Sequence, residues 1–168
     1  MKNTIKRIYE EAFGCDKDFF ETLYTKAQNH CKVLIKDGSV VSFFFLLPVE
    51  LKKLDKRQMA YYLFAAATDK KFQGNGYMSE LIKKTITESE HPIILKPATH
   101  SLISFYNRFG FSKIKMNHSG DKNFSILPIE EFKELSPDSD ELEGEFTACI
   151  FGETDFDIDG ITFEYTME

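Results

Sequence analysis

The run Met59–Thr68 is apolar at nearly every position, lacks the alternation of a half-buried strand, and ends Ala65-Ala66-Ala67-Thr68. A run of this kind predicts a strand covered on both faces, in the middle of a sheet. After the polar turn Asp69-Lys70-Lys71 the chain passes through Phe72-Gln73-Gly74-Asn75-Gly76-Tyr77-Met78 directly into a segment of helical period. Glycines let successive backbone N–H groups converge, and the free N–H groups and positive dipole end of the new helix add to them. A pyrophosphate can be held this way without basic side chains. The lysine and hydroxyl residue of a nucleoside-triphosphate loop are missing, and one short glycine run lacks the spacing of a dinucleotide fingerprint. Taken alone, the same residues also fit a glycine turn before an ordinary helix.

Upstream, Ile5, Ile8, Tyr9 and Ala12 recur at helical spacing up to Gly14, and Phe19, Phe20, Leu23 and Ala27 repeat the pattern after Asp16. Two short amphipathic helices are expected. Cys31–Ile35 and Val40–Leu47 are β-rich runs on either side of Lys36-Asp37-Gly38-Ser39, and Asp-Gly is a hairpin signal because both residues tolerate positive φ. Ser42–Leu47 is again apolar without alternation, so this strand too belongs inside the sheet.

Downstream, Met78, Leu81, Ile82 and Ile86 mark a helix with Lys83 and Lys84 outside, and Pro92 prevents its continuation. Ile93–Leu95 reads as a short strand. Thr99 is placed to cap a further helix with the apolar face Leu102, Phe105, Tyr106 and Phe109, which Gly110 ends in the left-handed conformation. Phe111–Met116 reads as the next strand. Glu130–Asp159, with Pro137 and Gly144, reads as a long irregular connection before a last strand with alternating Ile161, Phe163 and Tyr165. The order gives an α/β class with a sheet antiparallel in its first half.

A length of 168 residues suits one domain, 1–168, and seventeen Phe predict an aromatic core. A net charge of −6 argues against nucleic acid as a partner. Cys15, Cys31 and Cys149 lack metal-site or disulfide-framework spacings, so no metal is expected and a reducing compartment fits. The first residues carry charges where a secretory signal would be apolar, and no stretch approaches the roughly 20 apolar residues of a membrane span. The expectation is a cytoplasmic protein without a membrane partner.

The strand-loop-helix junction is followed by Ser104-Phe105-Tyr106-Asn107-Arg108-Phe109-Gly110-Phe111, and together the two stretches resemble the GNAT superfamily of N-acetyltransferases. Gln73 and Gly76 fill the first two fixed places of that family's loop motif, Met78 stands where its last small residue is usual, and Tyr106…Gly110-Phe111 looks like its tyrosine-to-Gly-Phe signature. The resemblance covers residues 1 to 117; beyond them only a last strand is suggested. The Tyr-x-Arg-Phe-Gly-aromatic string and the Gly-aliphatic helix start are most similar to the "enhanced intracellular survival" branch, without its extra carboxy-terminal domains. The fold implied is a mixed, mostly antiparallel central sheet with helices on both faces, splayed at the acyl-coenzyme A site.

The resemblance implies transfer of acetyl from acetyl-coenzyme A, a co-substrate, to an amine by direct attack. Gln73, Gly74, Asn75, Gly76, Tyr77 and Met78 would then hold the coenzyme, with a backbone N–H near Ala66, Ala67 or Thr68 polarising the thioester carbonyl. The alanines equally fit a tightly packed core strand. Tyr106 is the candidate acid for the departing thiolate, or else a core tyrosine with a bonded hydroxyl. No carboxylate lies within Met59–Thr68 to act as base; His100 through a water is an alternative, and Tyr61 or Tyr62 lines an acceptor pocket or the core. Glu130–Asp159 holds twelve of the chain's 27 acidic residues against one base, Lys133. It is either a solvated connection or a field that draws in a cationic amine, whether small molecule or peptide. The competing functions are a binding module that senses acyl-coenzyme A without turnover and a structural or interaction protein in which the glycine loop is only a turn.

Overall fold

The computed structural model describes residues 1–15, 17–53, 56–117, 124–128 and 145–155. They fall into two compact units, 1–47 with 63–88 and 48–62 with 89–168, and two long strands contribute to both.

In the first unit, α1 (Lys2–Phe13) and α2 (Lys17–Ala27) precede β1 (Cys31–Lys36), and β2 (Ser39–Lys53) follows after a two-residue turn. The turn works because Asp37 and Gly38 both take positive φ, 49° and 76°, which matches the twist of a tight hairpin. β1 pairs antiparallel with β2 from Cys31↔Phe45 to Lys36↔Ser39, with a bulge between Leu34 and Ile35. The unalternating run of β2 is buried as expected, with Phe43, Phe44 and Phe45 fully enclosed. α1 buries Ile5, Ile8 and Tyr9, one helical stripe, while Ala12 of the expected face is exposed. α2 buries Phe20, Leu23, Tyr24 and Ala27. Each fully buried Phe or Leu contributes about 1.5–3 kcal/mol over its exposed state. β3 (Lys56–Thr68) lies beside β2, and α3 (Tyr77–Glu88) packs on β1 with Leu81, Ile82 and Thr85 buried.

In the second unit, β3 pairs in parallel with β4 (Ile93–Leu95) at Tyr61↔Ile93 and Tyr62↔Ile94. β4 is followed by α4 (Ser101–Asn107), β5 (Ser112–Asn117), β6 (Phe124–Pro128) and β7 (Glu145–Phe151). β7 lies between β4 and β5, antiparallel to both, and β6 is antiparallel to the far part of β2. The result is a mixed α/β fold with a mostly antiparallel sheet.

Three expectations are corrected. Glu130–Asp159 is not irregular throughout, because Glu145–Phe151 is an interior strand with Ala148, Cys149 and Ile150 buried; its short apolar run is hidden among acidic neighbours. Thr99 does not cap α4. The residue before the helix is His100, in helical conformation, while the Thr99 hydroxyl lies 2.9 Å from that of Ser101. The buried face of α4 is Ile103 and Tyr106, with Leu102, Phe105 and Phe109 half-buried. Gly110 does take the left-handed conformation, φ 91°. The expected strand at Ile161–Tyr165 and most of the acidic segment lie outside the described residues.

Candidate functional site

The end of β3 departs from regular strand geometry at Ala65, whose φ is 54°. A non-glycine residue in the left-handed region costs on the order of 1–3 kcal/mol and clusters at ligand sites. Inside a strand such a residue is a local irregularity of the kind found at bulges. The sequence suggested backbone chemistry at Ala66, Ala67 and Thr68 but not this residue. Three adjacent alanines, with the smallest side chain that still has a Cβ, were the available sign.

Beyond Ala65 the chain is fixed residue by residue. The hydroxyls of Thr68 and the buried Ser42 lie 2.8 Å apart, and the Thr68 carbonyl accepts from the Gln73 side-chain amide at 3.2 Å. Asp69 donates its N–H to the Val41 carbonyl at 2.9 Å, and its own carbonyl accepts from Phe72 N–H at 2.8 Å. Its carboxylate, almost wholly buried, accepts from Lys71 N–H at 3.0 Å and from the Arg7 guanidinium. Burial alone would push that carboxyl up; the bonds and charges of Arg7 and Lys71 outweigh it and hold its pKa below the ordinary value.

The glycine loop then turns on Gly74 and Gly76, φ 82° and 74°, and a Cβ on either would meet nothing within 4 Å. Backbone conformation, not packing, therefore favours glycine at both. Asn75 closes the loop on itself, donating to the carbonyls of Phe72 at 2.9 Å and Gln73 at 3.4 Å. The Gly76 carbonyl accepts from Glu80 N–H at 3.0 Å, so Gly76 caps α3, and the N–H groups of Tyr77, Met78 and Ser79 have no acceptor inside the helix. The helix dipole puts about half a positive charge at this end. Lys36 ties α3 to β1, reaching Glu80 at 2.8 Å and lying 5.6 Å from the Tyr77 ring centre. Thr68, Gln73, Gly74, Asn75, Gly76, Tyr77 and Met78 thus follow one another along a single strand-loop-helix junction of the first unit, a geometry suited to an anion.

Tyr106 belongs to the second unit. Its ring meets Phe105 and Phe111 edge-on, with centres 5.2 Å and 5.6 Å away. Burial, helped by the nearby Cys149, pushes its pKa up to about 12. His100 is exposed, and His91 lies 5.7 Å from Tyr61. Among the described residues no group of His, Cys, Asp or Glu is arranged to hold a metal ion, and no helix is long and apolar enough to cross a membrane.

The acetyltransferase (GNAT) domain family matches residues 3–114, a span that contains both the glycine loop and Tyr106–Phe111. The chain belongs to the GNAT family. Comparison with the curated proteins finds no match. Among solved structures the chain is similar to the ribosomal-protein-S18-alanine N-acetyltransferase of Escherichia coli, at 15% identity over 93% of this chain and 92% of that one, TM-score 0.53. It is also similar to the Bacillus subtilis N-acetyltransferase YlbP in complex with coenzyme A, at 13% identity over 90% of each chain, TM-score 0.52. A GCN5-related N-acetyltransferase of Kribbella flavida matches at 14% identity and TM-score 0.56 over 70% of this chain. The chain spans only about a third of that protein, and likewise of similar ones from Anabaena variabilis and Enterococcus faecalis. These likenesses establish the GNAT fold, and the family is one of acyl-coenzyme A-dependent N-acyltransferases.

Proposed function

We propose that the protein transfers an acetyl group from acetyl-coenzyme A to an amine. The observation that carries this reading is the junction from Ala65 to Ser79: a strand with one left-handed residue near its end, two glycines at positive φ, and a helix start whose first N–H groups have no acceptor inside the helix. The loop and helix amides hold the pyrophosphate, and a backbone N–H near Ala66–Thr68 polarises the thioester carbonyl. The amine lone pair then attacks that carbon, the C–S bond breaks, and the nitrogen gives up a proton to water, with His100 a candidate to receive it.

Tyr106 is assigned to the leaving sulfur. A phenol that keeps its proton up to about 12 is protonated at neutral pH, whereas full transfer to a thiolate of ordinary basicity, roughly 8.5, is uphill. It therefore fits a hydrogen-bond donor to the developing thiolate, the net proton coming from solvent. The acceptor we propose is a cationic amine, drawn by the acidic segment Glu130–Asp159. The kinship with the enhanced-intracellular-survival branch is proposed on the Tyr106–Phe111 string. A second reading, a domain that binds acyl-coenzyme A without turnover, draws on the burial of Tyr106 and the lack of a carboxylate in β3.

Coenzyme A titration combined with thiol release over an amine panel separates the two readings. Amine-dependent release, faster with a polyamine than a monoamine at low salt, supports the first; binding without release supports the second.

A further inference from the structure

Every polar group of Asp69 is engaged where β3 becomes the loop. Its N–H and carbonyl join Val41 to Phe72, and its carboxylate joins Lys71 N–H to Arg7, 62 residues earlier in the chain. The loop it introduces is exposed from Gln73 to Gly76, and the bonds of Asn75 run back to the loop itself. Beside the Gln73 bond to the Thr68 carbonyl, the bonds to Arg7, Val41, Lys71 and Phe72 all meet at residue 69. From this we infer that Arg7 and Asp69 are a positioning pair for coenzyme A, with α1 setting the loop amides through the ion pair of a half-exposed Arg7 with a buried carboxylate. The inference rests on the acyl-coenzyme A reading above.

Two physical effects act together. A buried carboxylate that loses its cation must regain solvation, and it can do so only by moving outward with the Lys71–Phe72 turn it holds. The amides that face a pyrophosphate tolerate displacements of only about 0.5 Å. The second effect is charge. With Arg7 in place Asp69 is neutralised; without it, an anion stands at the head of an anion-binding loop and repels the phosphates. Arg7 is itself partly exposed on α1, and its other bond goes to Glu11, an exposed i,i+4 pair. Its replacement therefore leaves the buried stripe of Ile5, Ile8 and Tyr9 untouched.

The test uses the whole chain as wild type, Arg7→Ala, Arg7→Lys and Asp69→Asn. Coenzyme A affinity is measured by calorimetry, and kinetics are measured with acetyl-coenzyme A and with S-acetylpantetheine, which lacks the pyrophosphate and nucleotide. Arg7→Ala should raise Kd and KM for the coenzyme about tenfold, the scale of a lost charge-assisted bond, while kcat and the kcat/KM for S-acetylpantetheine stay within about twofold. Arg7→Lys and Asp69→Asn should each fall between wild type and Arg7→Ala. Wild-type affinity in Arg7→Ala, or an equal loss with both donors, overturns the pair's role. Absence of coenzyme A binding in the wild type overturns the acyltransfer reading and this inference with it.

Discussion

The hydroxyl of Ser42 on β2 lies 2.8 Å from the hydroxyl of Thr68, the last residue of β3 before the loop. Ser42 is fully buried, so removing its partner leaves a polar group with its desolvation uncompensated, about 1–3 kcal/mol. Thr68→Val should lower stability to urea by that amount. The double variant Ser42→Ala/Thr68→Val should lose less than the sum of the single losses, with a coupling of about 0.5–1.5 kcal/mol. Additive losses would mean that the two hydroxyls contribute independently.

Gly76 sits at φ 74° in open space. Gly76→Ala meets no steric wall and should cost only the left-handed penalty, about 1–2 kcal/mol. Gly76→Asp adds a negative charge where the acyltransfer reading puts the phosphates. Coenzyme A at a hundred times its Kd stabilises the native wild type by about 2.7 kcal/mol. Thermal melts with and without coenzyme should show that shift in wild type and none in folded Gly76→Asp. An unchanged shift would put the phosphates elsewhere.

Asp69 gives a pH dependence whose sign is fixed. Its folded pKa lies below the ordinary carboxyl value of 3.8, so its contribution is present in full above that value and is lost as pH falls through the folded pKa. Glu21, held by Lys2 and Lys6 at about 2, titrates over the same acid range, so the informative quantity is the difference between variants. Urea midpoints from pH 6 down to pH 2 should fall less steeply in Arg7→Ala than in wild type. Parallel curves would show that Arg7 does not hold the carboxylate down.

Much of this was readable because it is local. Asp37-Gly38 fixes its own turn, Ile93–Leu95 is a short apolar run after a proline, and the glycine loop carries its φ requirements in its residue types. The unread parts depend on distant partners. β7 is a strand because it lies between β4 and β5, and nothing in its acidic surroundings announces that. The left-handed conformation of Ala65 is not announced by its residue type, and the pairing of Arg7 with Asp69 arises only when helix and sheet meet. Tyr106 was legible as a buried aromatic, while its chemical role rests on the family pattern.

Tyr106, pushed up to about 12 by burial, also has a definite sign. A raised phenol pKa contributes stability that is complete below the unfolded value, roughly 10, and is lost as pH rises through the folded one. Ultraviolet titration of phenolate absorbance should lose a late-ionising component in Tyr106→Phe. In the acyltransfer reading the same variant should lower turnover by about 10²-fold with coenzyme A affinity nearly unchanged. Wild-type turnover with chemistry rate-limiting would leave Tyr106 as a packing residue.

The most direct measurement of the central claim is to incubate the protein with acetyl-coenzyme A and single amines, polyamine and monoamine among them, and to follow free thiol and acetylated amine together. The account predicts equal amounts of both products, dependent on the amine and abolished in Gly76→Asp. Thiol release that does not depend on any amine, or coenzyme A bound with no acetylated product across the panel, would contradict it.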